Sequence, residues 1–328
     1  MVKKEFTNPI NNETVELDEC KLSKSIEDYE GRAERIPNVD KNYVDLGIQF
    51  KLAQLINSKN LSFKNEIPIH VALKGHMGTG KDHDIEQFAA KLKYPYYRIP
   101  LSGEVRDVTL LGSVQLYGDG KGGTESKWQD GELTRALRGP AIVNLSELNA
   151  AGPEVLIPLH SLLDRHKKLE LPNGEVISLR DDCYIFGTMN PTSLRDYSGT
   201  QTLNKAFADR WVIWDKPFPN KDQLQLIFKK RYPNLQSEFS DLIIKLAIEI
   251  NNSFMSDDIS INIETPMSLR TIVERIPIGL DVYAESSDPL KDTWENFVLP
   301  HVNKEDLDHY KTLWNTIVRK GPSIKPQL

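Results

Sequence analysis

The sequence is poor in several features that would mark particular classes of protein. It has only two cysteines, Cys20 and Cys183, among 328 residues, which argues against a disulfide framework and a cysteine-based zinc site. No apolar run reaches membrane-spanning length. The first residues, MVKKEFTNPINNETVELDE, lack the apolar core of a secretion signal. We therefore expect a protein of the reducing cytoplasm with no membrane contact.

The chain also has no excess of positive charge, with 41 lysines and arginines against 47 acidic residues. The formal net charge is -6, which is not the electrostatic footprint of a dedicated nucleic-acid-binding protein. The seven histidines form no HExxH motif and no pairing with cysteine, so a histidine metal site is not expected. Hydrophobic residues make up 39% of the chain, which is enough for a packed core, and the length suits about two domains.

What the sequence does contain is a glycine-rich motif, GHMGTGKD, at residues 75–82. It fits a P-loop, whose backbone N–H groups cradle phosphate while its lysine reaches the β- and γ-phosphates. The run EIPIHVALKG (66–75) predicts a buried strand before it, and apolar residues at helical spacing follow Lys81. This context favours a nucleotide site over a plain glycine-rich turn. The predicted ATP-binding residues are Gly75, His76, Met77, Gly78, Thr79, Gly80, Lys81 and Asp82.

Two further apolar runs predict parallel strands that end beside the P-loop. The run AIVNLSELNAA (141–151) leads to Glu147, a carboxylate placed to activate water, although a glutamate at a strand end is commonly just a surface residue. The run CYIFGTMNP (183–191) leads to Asn190, whose amide can orient that water. Ligands of open α/β sheets bind at this edge. Between the two runs, Asn173-Gly174 predicts a projecting hairpin over residues 168–179.

These segments together resemble the AAA+ ATPases of the MoxR and dynein-related group, which includes NorQ, CbbQ, GvpN and the cobaltochelatase small subunit. The likeness spans about residues 45–280. Besides the P-loop, it rests on LLGSVQLYGD (110–119), DGELTRALRGPAIVNLSELNAAGPEVLIPLHSLLD (130–164), IFGTMNP (185–191) and LNKAFADRW (203–211). It implies an α/β fold, a P-loop AAA+ parallel sheet flanked by helices, with a smaller helical lid domain. The expected domains are an N-terminal extension (1–44), a nucleotide-binding domain (45–217) and the lid (218–328).

The resemblance also assigns roles to individual residues. Lys81 is the P-loop lysine, Glu147 is the catalytic glutamate of the Walker B motif, and Asn190 is sensor 1. Arg210, in FADRW, corresponds to an arginine finger that reaches the γ-phosphate of a neighbouring subunit. Arg270, in TPMSLRTIVERI (265–276), corresponds to sensor 2.

Local sequence bears on these arginines in different ways. Thr265 and Pro266 predict a helix N-terminus shortly before Arg270, which would place Arg270 early in a lid helix. Arg195 is a second candidate for the arginine finger. A single arginine is more often a surface residue than an arginine finger, so the finger roles of Arg210 and Arg195 depend on the resemblance.

Two positions depart from the family pattern, and both are magnesium positions. Asp82 stands where the family has Ser or Thr, and Ser146 stands where the family has Asp. One interpretation is an exchanged Mg²⁺ site made by Asp82 and Ser146, since one carboxylate and one hydroxyl remain. The other is decay, in which the Asp82 carboxylate repels phosphate and weakens nucleotide binding. The retention of Lys81, Glu147 and Asn190 favours exchange, with ATP and Mg²⁺ as cofactors.

The implied function is a ring ATPase, expected as a hexamer, that remodels or helps assemble a protein partner. Relatives in this group often act with a von Willebrand A domain protein. One alternative is a nucleotide-gated scaffold that does not hydrolyse, and another is a motor subunit of a nucleic-acid-processing complex, which the acidic balance disfavours. In a ring, the glycine-rich run DGKGGTESKW (119–128) either lines the pore, with Tyr117 or Trp128 touching substrate, or is a surface loop.

Overall fold

The computed structural model describes residues 2–22, 31–58, 68–101, 106–118, 120, 123–192, 202–256 and 263–328. The chain divides into two compact units. The first comprises residues 1–40, 45–75 and 81–216, and the second comprises residues 41–44, 76–80 and 217–328. Among the described residues, no helix has the length and apolarity needed to cross a membrane.

A five-stranded parallel sheet forms the centre of the first unit. In chain order the strands of this unit are β1 (Lys3–Thr7), β2 (Thr14–Asp18), β3 (His70–Lys74), β4 (Tyr96–Pro100), β5 (Gly112–Gly118), β6 (Thr124–Asp130), β7 (Ala141–Ser146), β8 (Lys168–Glu170), β9 (Val176–Ser178), β10 (Cys183–Met189) and β11 (Trp211–Asp215). The order across the central sheet is β11-β3-β10-β7-β4. The strand before the P-loop therefore lies between two others, as a buried apolar run requires. The predicted parallel sheet is confirmed.

Helices pack against this sheet because their apolar faces are spaced for it. The helices of the first unit are α1 (Ile48–Asn57), α2 (Lys81–Leu92), α3 (Asp107–Leu111), α4 (Glu132–Leu137), α5 (Pro153–Leu156), α6 (Leu159–Leu163) and α7 (Lys205–Ala208). Ile85, Phe88, Ala89 and Leu92 of α2 are buried, as their spacing predicts. The stretch after Pro153 forms two short helices, α5 and α6, which are separated around Pro158, and the apolar residues Val155, Leu156, Leu159, Leu162 and Leu163 on them are buried.

The first residues of the chain are part of the first unit's core. Strands β1 and β2 pair antiparallel, and Phe6 is 1% exposed. The Phe6 ring lies 5.1 Å from the Phe88 ring of α2, and the Lys91 ammonium lies 4.2 Å above it. Farther along, the Cys20 N–H donates to the Leu92 carbonyl at the end of α2. A segment of weak sequence pattern thus packs closely on the P-loop helix.

Two antiparallel hairpins extend the first unit. The β8–β9 hairpin confirms the one predicted at Asn173-Gly174, and its Leu169 and Ile177 are buried rather than projecting. Part of the loop expected at residues 119–128 is instead the strand β6, which pairs with β5 in a hairpin that places Val114 opposite Trp128. Within the run 119–128, residues 119, 121 and 122 lie outside the described residues. The hairpin leaves Leu116 72% exposed.

The second unit is helical, as expected of residues 218–328. Its α-helices are α8 (Lys221–Arg231), α9 (Ser237–Met255), α10 (Ile276–Val282), α11 (Pro289–Thr293) and α12 (Leu307–Ile317), with π-helical segments at Thr271–Arg275 and Trp294–Val298. A capping box of Asn220 and Gln223 starts α8. Trp294 stacks on Tyr310 and Trp314 of α12, with ring centroids 5.8 and 5.0 Å away.

Candidate nucleotide-binding site

The P-loop has the predicted context of strand, loop and helix. Strand β3 ends at Lys74, and α2 begins at Lys81. Gly78 and Gly80 have φ values of 73° and 84°, which side-chain-bearing residues rarely adopt. The Gly75 N–H donates to the Met189 carbonyl of the neighbouring strand β10, 3.2 Å away. The loop therefore starts from a fixed point at the carboxyl edge of the sheet.

Lys81 is held at this edge by oxygen acceptors. Its ammonium donates to the Gly75 carbonyl at 2.6 Å and to the side-chain oxygen of Asn190 at 3.2 Å. Burial lowers its pKa from 10.5 to about 8, against the opposing influence of the carboxylates of Asp82 and Glu147. A phosphate would supply the negative charge that favours the ammonium form in this partly dry position.

Asn190 follows directly after β10, and a second asparagine fixes it. Asn149 donates through its side-chain amide to the Asn190 carbonyl at 2.9 Å and accepts from the Asn190 N–H at 3.3 Å. Asn149 is 2% exposed. Sequence reasoning missed this residue. Its signal was a polar residue in the otherwise apolar and small stretch that follows the strand β7.

Glu147 follows β7 in an unfavourable backbone conformation. Its φ and ψ angles are 63° and 44°, in the left-handed region that a glutamate seldom occupies. Its side chain is exposed, while the 3₁₀ turn after it, Leu148–Ala150, is largely buried. Backbone strain of this kind concentrates at functional sites. The strained residue lies at the carboxyl edge of the sheet, directly after β7.

The carboxylate of Asp82 is engaged by side chains of the first unit. One oxygen accepts from the Asn144 amide and from the Thr188 hydroxyl, both at 2.9 Å. The other pairs with the Arg98 guanidinium at 3.0 Å. Asn144, Thr188 and Arg98 belong to β7, β10 and β4 respectively. Asp82 therefore ties the first turn of α2 to three strands of the sheet.

The predicted magnesium pair, Asp82 and Ser146, fits a metal only in part. The Ser146 hydroxyl is fully buried at the end of β7 and has no hydrogen-bond partner among the described residues, so its oxygen is available to coordinate a metal. Asp82 does not fit, because turning its carboxylate to a metal would strand two buried donors. Within the described part of the chain, no group of three or more acidic, histidine or cysteine residues could hold a metal.

Arg210 also has partners in its own unit. Its guanidinium donates to the Ala206 carbonyl and to the His160 carbonyl, the latter at 3.1 Å, and lies 3.7 Å from the Asp164 carboxylate. To act as an arginine finger, the side chain would have to leave these acceptors. Arg195, the second candidate, lies outside the described residues.

In the second unit, the P-loop contacts the segment that precedes Arg270. The Leu269 N–H donates to the Gly78 carbonyl at 2.9 Å, and Ser268 packs so closely that a side chain at Gly78 would collide with it. The helix begins at Leu269, with Ser268 accepting from the Thr271 N–H. The expected helix start at Thr265 is therefore wrong, and Ser268 fills that role. Thr265 instead accepts from the Asn303 N–H.

The second unit also holds a cationic cavity beside the loop. Arg270, Arg275 and His301 line it together with Gly78, and none of these three side chains has an ion pair among the described residues. Free positive charge next to a P-loop glycine suits a phosphate. His76 is committed to packing, since its ring stacks on Phe218 with centroids 5.3 Å apart.

Part of the chain is similar to known proteins. Residues 70–211 match the family described as "AAA domain (dynein-related subfamily)". An uncharacterized protein of Staphylococcus haemolyticus is 26% identical over 74% of this chain and 94% of its own length. Midasin of Dictyostelium discoideum is 30% identical over 64% of this chain but only 4% of its own length. The aerobic cobaltochelatase subunit CobS of a Sinorhizobium species is 29% identical over 62% of this chain and 63% of its own length.

Among solved structures, a protein of Cytophaga hutchinsonii aligns with 92% of this chain and 95% of its own, at 16% identity and a TM-score of 0.41. That likeness is too low to bear on the site. The P-loop, the residues that follow β7 and β10, and the parallel strands β3, β4, β7 and β10 all lie within the matched region, which ends at the first residue of β11. Over residues 70–211, the chain is similar to the AAA domain of the dynein-related subfamily.

Proposed function

We propose that this protein is an ATP-binding ring ATPase of the MoxR type that remodels or helps assemble a protein partner. The observation that carries the proposal is the meeting of Lys81 and Asn190 at the carboxyl edge of the sheet. A lysine that is held by a strand-end amide is placed to exchange that contact for the β- and γ-phosphates of a nucleotide.

Three residues of the first unit would divide the work of hydrolysis. Lys81 would stabilise the charge on the phosphates, and Asn190 would orient the attacking water. Glu147 would accept the proton of that water, since its side chain is exposed at the end of β7. When magnesium accompanies the nucleotide, it would supply charge neutralisation, and the free hydroxyl of Ser146 is the group that fits it.

The partner side of the proposal draws on the relatives and on the β5–β6 hairpin. The Sinorhizobium relative is by name a subunit of a larger enzyme, which supports action within a complex. The exposed Val114, Leu116 and Tyr117 on the hairpin would offer apolar contacts to a protein partner, in the pore if subunits form a ring. The acidic net charge does not suit nucleic acid as that partner.

A nucleotide-gated scaffold is the second candidate, and Asp82 favours it. Asp82 stands where a P-loop usually has a hydroxyl ligand for magnesium, directly after the lysine. Its carboxylate is fixed by Arg98, Asn144 and Thr188. Such a site would bind nucleotide and change assembly without turning it over.

The decisive experiment is ATP and GTP turnover by a size-resolved sample. We expect ATP hydrolysis in the assembled fraction, and loss of hydrolysis but not of nucleotide binding in Glu147→Gln. Binding without turnover in the wild type would select the scaffold instead. Lys81→Ala should abolish thermal stabilisation by ATP, and equal stabilisation of this variant would remove the site assignment altogether.

A further inference from the structure

Asp82 occupies the position from which a P-loop usually reaches magnesium. In such sites the ion is held jointly by the hydroxyl after the P-loop lysine and by a carboxylate at the end of the strand β7 equivalent. The metal therefore joins the first turn of the P-loop helix to the sheet. Here Asp82 itself joins that helix turn to the sheet through its side-chain contacts with Asn144, Thr188 and Arg98.

Buried donors hold the Asp82 carboxylate in this arrangement. Asn144 is fully buried and Thr188 is 2% exposed, so each needs an acceptor within the protein. Both find it in the same Asp82 oxygen at 2.9 Å. Asn144 also donates to the Tyr96 hydroxyl at 2.9 Å, which fixes the orientation of its amide. If Asp82 turned towards a metal, these donors would lose a buried partner.

Arg98 supplies the charge that makes the arrangement compatible with phosphate. A carboxylate next to the nucleotide would repel it, but the Arg98 guanidinium neutralises Asp82 at 3.0 Å. The pair is partly exposed, with 51% of the Arg98 side chain and 35% of the Asp82 side chain accessible. Its contribution to stability alone is therefore modest, although it is large enough to appear as a coupling between the two residues. Its effect on an approaching polyanion is larger, because one negative charge is cancelled at the loop.

We propose that Asp82 and Arg98 form a bridge made only of protein, which replaces the metal as the link between the P-loop helix and the sheet. Nucleotide binding by this chain then depends little on magnesium as long as Arg98 is present. Arg98 is a positioning residue in this scheme, because it acts through Asp82. The inference rests on the proposed nucleotide site.

The test compares ADP affinity in excess EDTA and in excess MgCl₂ by calorimetry. For the wild type we expect the two dissociation constants to agree within about threefold. For Arg98→Gln we expect ADP to bind at least about tenfold more weakly in EDTA than in MgCl₂. The reason is that an unpaired Asp82 carboxylate then faces the phosphates until magnesium offsets its charge. Arg180→Gln is the matched control, because Arg180 forms an exposed pair with Asp182 at 2.8 Å, before the opposite end of β10. It should behave as the wild type.

Two outcomes would overturn the bridge. A wild-type affinity that falls more than about tenfold in EDTA would make Asp82 a metal ligand, as in the exchanged site. An unchanged magnesium ratio in Arg98→Gln would leave Arg98 with a merely structural role.

A complete lack of ADP binding in every condition would defeat the proposed nucleotide site instead. The bridge is then judged by thermal unfolding of Asp82→Asn, Arg98→Gln and the double variant without nucleotide. We expect the double variant to lose less than the sum of the single losses, because the two residues share one interaction, and simple addition would refute the bridge.

Discussion

At the scale of single residues, Lys81 should make nucleotide binding depend on pH. Burial lowers the pKa of its ammonium to about 8, and phosphate must raise that pKa again because it favours the charged form. Binding above pH 8 therefore takes up a proton. We expect Lys81 to have no effect on the pH dependence of ATP affinity well below pH 8, and to cause a fall in affinity of up to about tenfold per pH unit between the free and bound pKa values of its ammonium.

Calorimetry in two buffers of different ionisation enthalpy would measure that proton uptake. The control is Lys81→Arg, whose guanidinium stays charged throughout this range, so that its affinity should not follow the same pH step. If the wild type and Lys81→Arg showed the same pH dependence, the step would not belong to Lys81.

Glu147 gives a second prediction, because its backbone strain can be relieved. A φ of 63° costs a residue with a side chain about 1–2 kcal/mol, and a glycine avoids this cost. Glycine also has more conformational freedom in the unfolded chain, which offsets part of the gain. We expect Glu147→Gly to raise the free energy of unfolding by about 0.5–1 kcal/mol while abolishing ATP turnover. Urea denaturation would measure the gain, with Glu147→Ala as the control that keeps the strain. A destabilised glycine variant would mean that the glutamate side chain itself supports the fold.

At the scale of elements, the sequence predicts the strands that have a clear apolar pattern and does not predict the hairpin that lacks one. Strands β3, β7 and β10 are mostly apolar runs, because both their faces are buried, and the sequence predicts all three. The β5–β6 hairpin is exposed on much of both faces, so it lacks an apolar and polar alternation, and its glycine-rich turn suggested a loop.

The candidate site divides in the same way. The P-loop, Glu147 and Asn190 follow from residue type and position at strand ends. The partners of Asp82 could not be foreseen, because Arg98, Asn144 and Thr188 come from three strands whose register fixes the contact only in three dimensions. The helix start before Arg270 was misplaced because Thr265 and Pro266 imitate a cap, while Ser268 next to the P-loop provides it.

Arg32 yields a prediction for the element α4. Arg32 is fully buried and donates to the Pro140 carbonyl at 3.0 Å and to the Arg135 carbonyl, so that it satisfies the carboxyl end of this helix just before β7. We expect Arg32→Met to lower the free energy of unfolding by about 2–3 kcal/mol, because buried carbonyls lose charged donors.

Chemical denaturation would test this, with Arg35→Met as the matched control. Arg35 lies over the Tyr97 ring at 4.5 Å and pairs with Glu132 at 3.2 Å in a partly exposed position. Its loss should cost less than about 1 kcal/mol. Equal losses for the two variants would contradict a special role for Arg32.

At the scale of the whole molecule, the main prediction is assembly. An arginine finger that acts in trans has a phosphate to reach only when a neighbouring subunit provides one. We expect light scattering with saturating ATP to detect a ring, with a hexamer as the expected size. A strict monomer in every nucleotide state at micromolar concentration would exclude the ring and the finger together.

Arg210→Ala would separate the finger from assembly itself. Nucleotide affinity and ring size should persist while turnover falls, although the loss of the contacts with His160 and Asp164 will reduce stability somewhat. Arg165→Ala, an exposed arginine near Asp164 in the chain, is the control and should retain turnover. Unchanged turnover in Arg210→Ala would assign that arginine to its own subunit's fold alone.

The packing of β1 and β2 has a consequence for how such a chain can be shortened or exchanged between proteins. The region that matches the family model begins at residue 70, but Phe88 of α2 within it is covered by Phe6, and the Leu92 carbonyl at the end of α2 accepts from the Cys20 N–H. A fragment cut at the family boundary would expose an apolar patch on the P-loop helix and fray its end. The segment that matches the family model is therefore shorter than the segment that shares one hydrophobic core.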